Sequence, residues 1–569
     1  MTTRQSAQPV GNTSLTTFDV LIIGSGAGGS AAAAVLCKQG LKVLVLECGP
    51  NRFKNLDSAS GPVSLFANDE IQANFRPFAF PDSLVDPRTW RTAISDGDRT
   101  YVGDVNSLPK IVGGGAVFAD LKTPRFLPDD FHLGTLIGSQ YSDATFADWP
   151  VDYDMLEPFY LHVEKKIGVQ GTGGSNPFEG PRSGPYPMPP GVPMYSALKV
   201  VDAAKASGLN PHPFPGAVNS MPYDGRPACS DCGFCTGFGC PSNAKGTPPV
   251  TLLRHALLTG NCLLLPERKV KKLESNGAGD TITGVTVVGP DGETQTFTAD
   301  RYILAASAIE DARLMLLSGG IGNSSDQIGR NLTFHRQTNV LGVFEEVTHA
   351  DRGRTITHGI TDFRGKPNDP NHPLGGIVEI SGGPQPIQEA AYYRTVLELF
   401  RGFTGQGYLR LMQQSPGRRH MVALAMQAED APQATNRVDL DPAVRDLDGL
   451  AAPRITYNPH QFELSASDFY RPKLIDLLIQ AGAKWVINEP EPERPESAHI
   501  HGTLRMGPDA ATSVCRPDGR FHDIGNLYAA DGSLFPTSSG FNPTLTIMAL
   551  STWVAASIVS PQSPNSVLS

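Results

Sequence analysis

Residues 18–47 constrain the fold more than any other part of the chain. Phe18-Asp19-Val20-Leu21-Ile22-Ile23 is an apolar run of strand length, and it leads directly into Gly24-Ser25-Gly26-Ala27-Gly28-Gly29. Residues 30–39 are Ala-rich and predict a helix, Gly40 ends it, and 41–47 reads as a second strand. The result is a βαβ unit with G-x-G-x-x-G at its first turn. Gly24 permits the tight turn, Gly26 lets the backbone approach a pyrophosphate, and Gly29 lets helix and strand pack closely. The anion then sits at the helix N-terminus, where free N–H groups and the dipole favour it. Glu47 closes the second strand, 18 residues after Gly29, and its carboxylate can accept hydrogen bonds from a ribose. An acid there favours an unphosphorylated ribose, which argues against NADP and leaves FAD and NAD.

The rest of the composition narrows the class. At 569 residues the chain has room for several domains of ~150 residues each. Forty per cent hydrophobic and 18% charged residues are ordinary for a globular enzyme, and 59 Gly and 48 Pro imply many loops. Segments 176–193 and 365–388 are rich in both and read as loops. A net charge of −10 argues against nucleic acid as partner. No apolar run reaches the ~20 residues of a membrane span. Met1-Thr2-Thr3-Arg4-Gln5 lacks a signal core or twin arginine, so the expectation is a soluble, cytoplasmic protein.

Four of the eight cysteines fall close together, Cys229, Cys232, Cys235 and Cys240, spaced C-x2-C-x2-C-x4-C-P. Bacterial ferredoxins use a run one residue shorter. An iron–sulfur cluster, a zinc site, a disulfide or dithiol at the C-x-x-C of Cys232 and Cys235, and plain structural thiols are all open on this spacing.

The C-terminal part carries His499-Ile500-His501-Gly502-Thr503-Leu504-Arg505-Met506-Gly507, then Asn526-Leu527-Tyr528-Ala529-Ala530-Asp531-Gly532-Ser533-Leu534-Phe535-Pro536, then Gly540-Phe541-Asn542-Pro543-Thr544-Leu545-Thr546 and an apolar helical stretch. With the N-terminal dinucleotide motif, and in this order, these runs resemble the glucose–methanol–choline (GMC) family of FAD-dependent oxidoreductases. Val112-Gly113-Gly114-Gly115-Ala116 looks like that family's flavin loop, and Asp148-Trp149-Pro150-Val151 like its entry to the substrate domain. The resemblance extends over about residues 18–558.

The resemblance implies an α/β fold: a Rossmann-like FAD domain interleaved with a sheet-based, α+β substrate region. The FAD domain would comprise 16–125, 245–335 and 495–569, and the substrate domain 126–244 and 336–494, with a Cys-rich loop at 226–245 and a flexible tail at 1–15. Gly24, Gly26, Gly29, Glu47, Gly113, Gly114, Gly115, Asp531, Asn542, Pro543 and Thr544 would contact FAD. His499, three residues before Gly502, matches the family's catalytic histidine, and Asn542, 43 residues later, its second catalytic residue. Flavin-dependent alcohol oxidation sends a hydride to flavin N5 and the hydroxyl proton to a base, a task that suits a neutral imidazole. His501 is a further candidate for substrate contact. The Cys loop resembles one in membrane-linked sugar dehydrogenases of the family, where three cysteines hold a [3Fe–4S] cluster, and aminoglycoside sugar oxidases also carry cysteines there. The implied activity is oxidation of a CH–OH group, first of a sugar, polyol or cyclitol, with O2 or another electron acceptor. The alternative is a non-redox member, a lyase or photoenzyme.

Overall fold

Four consecutive apolar residues with no polar alternation cannot face water on either side, and Val20–Ile23 and Val43–Leu46 are buried throughout. In the computed structural model they pair in parallel, Val20 opposite Val43, with helix Ala27–Lys38 connecting them. The structure describes residues 7–69, 83–103, 105, 106, 108–369, 371–382, 385–395, 404–489, 494, 495 and 497–568. The sheet they belong to runs Val10–Gly11, Cys262–Leu265, Val43–Leu46, Val20–Ile23, Arg301–Leu304, Leu527–Ala529. The last five are parallel. Helix Ala27–Lys38 packs against helices Leu252–Leu258 and Thr544–Val559, so both ends of the chain close over this sheet.

A second, antiparallel sheet runs Trp485–Asn488, His335–Val343, Met421–Glu429, Val378–Ser381, Ile356–Ile360, Pro211–Pro213. Helices Tyr195–Ala206 and Gln461–Gln480 pack on it and share a core of buried aliphatic residues. A third sheet joins Arg437–Arg445 and Ala451–Thr456 to Arg88–Arg91 and Tyr101–Gly103, and so draws on segments expected in different domains. No helix among the described residues is long and apolar enough to cross a membrane.

Two expectations change. Val10–Gly11, within the stretch read as a tail, forms an antiparallel edge on Leu263 and Leu264, and Asn12 Nδ2 donates to the Gly260 carbonyl at 2.8 Å. Residues 365–388, read as a loop, contain the strand Val378–Ser381, whose first three residues are buried between Ile356–Ile360 and Met421–Glu429. Glycines and prolines on either side dilute its apolar signal.

Candidate active site

A cavity of about 890 Å³ runs from the first βα turn to His499. Its nucleotide end is built by the first βα turn. Helix Ala27–Lys38 begins after Gly26 with no side chain capping its N–H groups. A Cβ on Gly26 would have Gly114 Cα, 4.0 Å away, as its nearest neighbour, so a side chain there would enter open cavity. The other glycines of the motif are closed: a Cβ on Gly24, Gly28 or Gly29 would lie 2.3, 1.9 or 2.0 Å from the carbonyl oxygen of Ala305, Ala530 or Gly24. The turn therefore brings bare backbone amides to the cavity at one glycine and packs the chain tightly at the others. That arrangement suits a pyrophosphate.

Glu47 is buried beside this turn. Ser25 Oγ and Ser25 N donate to its Oε2 at 2.6 and 3.1 Å, and Gly49 N donates to Oε1 at 2.9 Å. Burial raises its pKa, against the pull of those hydrogen bonds. Gly113 N donates to Ser25 Oγ at 3.0 Å, which ties the second glycine loop to the first. Gly113 and Gly114 have φ of 96° and 59°, left-handed values that favour glycine. Asp531 accepts from Ser307 N at 2.7 Å and Ser533 N at 2.8 Å and joins two further segments of the wall. Gly24, Gly26, Glu47, Gly114, Gly115, His499, Asp531, Pro543 and Thr544 line the cavity; Gly29, Gly113 and His501 do not, and Asn542 reaches its edge only through the amide nitrogen at His499.

At the other end His499 is partly exposed to the cavity. Its Nδ1 lies 2.9 Å from Nδ1 of His335, and His335 Nε2 lies 3.3 Å from the Ser538 carbonyl oxygen. The partners determine the tautomers. A carbonyl only accepts, so His335 Nε2 carries the proton. Burial lowers the His335 pKa to about 4, so the ring is neutral and its Nδ1 is a bare acceptor. His499 Nδ1 must then be the donor. Burial first, then the nearby His335, Lys122 and His501, hold the His499 pKa well below 6.5. Its ring is neutral, and Nε2 presents a lone pair.

Asn542 stands 3.5 Å from that lone pair through Nδ2 and donates from the same nitrogen to Glu379 Oε1 at 2.9 Å. An ionised carboxylate only accepts, so Glu379 turns the NH2 edge of the amide towards His499. Lys122 Nζ donates to Glu379 Oε2 at 2.7 Å. Burial lowers the Lys122 pKa, but Glu379 and Asp120 outweigh it and the pKa rises, so the ammonium persists. His335, Glu379 and Lys122 were absent from the sequence expectations. No motif spacing links them to His499, and Glu379 lies in the strand hidden among glycines. His501 is fully buried, stacks on Phe535 at 5.3 Å between ring centroids, and has no hydrogen-bond partner at either ring nitrogen among the described residues. Burial keeps it neutral.

The cysteine loop, for which a cluster, a zinc site, a dithiol and plain thiols were all open, spreads its thiols among separate contacts. Cys229 accepts from Asp231 N at 3.4 Å, Cys232 Sγ lies 3.8 Å from Asn68 Oδ1, and Cys240 Sγ lies 3.4 Å from Ser242 Oγ. Cys235 is buried. Lys245 Nζ gathers the carbonyls of Ala119, Cys235 and Phe238, so a lysine organises the loop. Among the described residues no three His, Cys, Asp or Glu side chains come together as metal ligands, and the iron–sulfur expectation is not supported.

Comparison with known proteins identifies the family. Residues 194–337 and 432–551 match models of the GMC oxidoreductase family, and residues 19–83 an FAD binding domain. Paromamine 6'-oxidase of Streptomyces fradiae is 30% identical over 94% of this chain and 89% of its own length. The fructose dehydrogenase large subunit of Gluconobacter japonicus is 28% identical over 95% and 97%. Among solved structures, pyridoxine 4-oxidase from Mesorbium loti superposes with a TM-score of 0.60 at 17% identity, covering 95% of this chain and 98% of its own. A formate oxidase superposes with a TM-score of 0.63 at 16% identity, covering 96% and 99%. The chain belongs to the GMC oxidoreductase family and is an FAD-dependent oxidoreductase.

Proposed function

We propose that the protein oxidises the CH–OH group of a sugar, polyol or cyclitol to a carbonyl, with His499 as the base. The neutral imidazole of His499, its Nδ1–H bound to His335 and its Nε2 faced by Asn542 Nδ2 at a long 3.5 Å, carries this reading. When bound, FAD supplies the hydride acceptor. The substrate hydroxyl donates its proton to His499 Nε2 and accepts from Asn542 Nδ2, whose other N–H stays on Glu379. As the O–H bond breaks, its electron pair forms the C=O bond and expels the carbinol hydrogen as hydride. Two electrons leave with that hydride, and the proton stays on His499. O2 or another electron acceptor then takes the electrons. Relatives named for fructose, gluconate and aminoglycoside substrates support the hydroxyl-rich class. Eight free cysteines fit a cytoplasmic location.

His499→Ala should keep bound flavin, because the nucleotide is held at the far end of the cavity. It should slow anaerobic flavin bleaching by alcohol ~10²–10⁴-fold, the usual worth of a positioned base. Asn542→Ala should cost less, and His501→Ala least. Abolition by His501→Ala with little effect of His499→Ala would show that the wrong histidine had been assigned.

A further inference from the structure

The reaction end of the cavity holds more hydrogen-bonding groups than removal of one proton requires. Lys122 lines it, with one N–H donated to Glu379 and the Asp120 carboxylate 3.7 Å away, an ion-pair distance rather than a hydrogen bond. An ammonium has three donors, so Lys122 retains capacity towards the cavity. It is close to the chemistry: the contacts run Lys122–Glu379–Asn542–His499, and its charge acts on the His499 imidazole.

Gln337 lies on the strand His335–Val343, in the same antiparallel sheet as Glu379. It lies two residues after His335 on a strand whose ladder with Met421–Glu429 is unbroken, so both side chains leave the same face, ~7 Å apart. Because His335 touches His499, Gln337 stands one step from the base. Its Nε2 donates to Gln427 Oε1 at 3.0 Å. Its Oε1 has no hydrogen-bond partner among the described residues, and the side chain lines the cavity.

Lys122 and Gln337, one with donor and one with acceptor capacity to spare, therefore line the same cavity as His499. An apolar substituent would remove water from both and return nothing. A carboxylate could accept from Lys122 but would meet Glu379, Asp120 and the Gln337 oxygen. A hydroxyl satisfies both, accepting from Lys122 Nζ and donating to Gln337 Oε1. We propose that Lys122 and Gln337 form a subsite that reads a second hydroxyl of the substrate, on the carbon next to the one oxidised. The substrate class narrows to vicinal diols within sugars, polyols and cyclitols. This proposal rests on the alcohol-oxidation reading above.

A matched set of probes tests it: cyclohexanol, 1,2-cyclohexanediol (cis and trans) and 1,4-cyclohexanediol, each mixed anaerobically with the flavin-loaded enzyme. The second-order rate constant for bleaching should be at least ~100-fold higher for a 1,2-diol than for cyclohexanol, a floor below the ~10⁴–10⁵ that an enclosed hydroxyl-pairing site reaches. The 1,4-diol should resemble cyclohexanol. In Lys122→Met and in Gln337→Leu the 1,2-diol preference should fall at least ~10-fold, and Lys122→Arg, which keeps donors, should restore part of it. Gln337 does not touch Glu379, so its variant separates substrate recognition from any disturbance of Asn542, and it decides the matter if Lys122→Met loses flavin. Equal rates for 1,2-diols and cyclohexanol, or a preference that survives in Gln337→Leu, would overturn this proposal and leave alcohol oxidation standing. No bleaching by any alcohol would overturn both.

Discussion

With His499 as the proposed base, a single proton in the His335–His499 pair determines which of its nitrogens would accept the substrate proton. Ser538 offers a carbonyl, His335 must donate to it, and His499 must in turn donate to His335. The pH dependence follows. Only the neutral imidazole accepts a proton, and burial pulls the His499 pKa well below 6.5. Depressing the pKa extends the neutral form to lower pH, so activity is retained through pH 6.5 and lost only further into acid. An unperturbed histidine would be half protonated at pH ~6.5. The limiting rate of anaerobic bleaching should therefore be nearly flat from pH ~8 to pH ~6.5 and fall below it. A half-loss centred at pH ~6.5 would contradict the depressed pKa. His499 was legible because its Gly-Thr neighbours are a local signature. Its partner His335 lies 164 residues away and was not, since a contact between a strand and a distant loop leaves no spacing in the chain.

At the scale of elements, the first turn separates glycines that the fold needs from one that faces the cavity. A Cβ on Gly28 would lie 1.9 Å from the Ala530 oxygen, so helix Ala27–Lys38 could not keep its place beside the strand Leu527–Ala529. Gly28→Ala should lower stability by ~1–3 kcal/mol through overpacking, seen as a lower unfolding midpoint. Gly26 faces open cavity, so Gly26→Val should fold with an unchanged circular dichroism spectrum and purify without flavin colour. Yellow, fully loaded Gly26→Val would remove the assignment of this turn to the pyrophosphate. The βαβ unit was legible because continuous apolar runs and a glycine turn are local, with the observed strands and helix within a few residues of the expected ones. The strand Val378–Ser381 was not, because Gly375, Gly376 and Gly382 mark close backbone approaches rather than a loop. A Cβ on Gly376 would lie 1.6 Å from the Gln427 oxygen. Glycine there lets the strand enter a crowded sheet, and composition alone cannot distinguish that use from a turn.

At the scale of the molecule, the cavity draws its wall from distant parts of the chain, among them Gly26, Lys122, Ser307, His499 and Thr544. A dinucleotide across that wall would join the first strand, the helix after Arg301–Leu304 and the closing helix Thr544–Val559 in one set of contacts. The unfolded chain offers no such convergence, so binding favours the native state by RT ln(1 + [L]/Kd), about 2.7 kcal/mol at a hundredfold excess over Kd. A chain with several sheets need not unfold in one step, so the informative quantity is how the transition moves with ligand rather than a single unfolding free energy. Stripping flavin should lower the apparent Tm by several degrees, and adding FAD should restore it in a concentration-dependent way. NAD, which lacks the flavin that would reach the His499 end, should shift it less. Gly26→Val should unfold at the Tm of the stripped enzyme and not respond to FAD, because its side chain occupies the phosphate approach. Differential scanning fluorimetry of stripped wild type and Gly26→Val across an FAD series makes the comparison. An equal response of the two proteins would show that FAD does not bind across this turn, and a larger shift with NAD than with FAD would assign the cavity to the other dinucleotide.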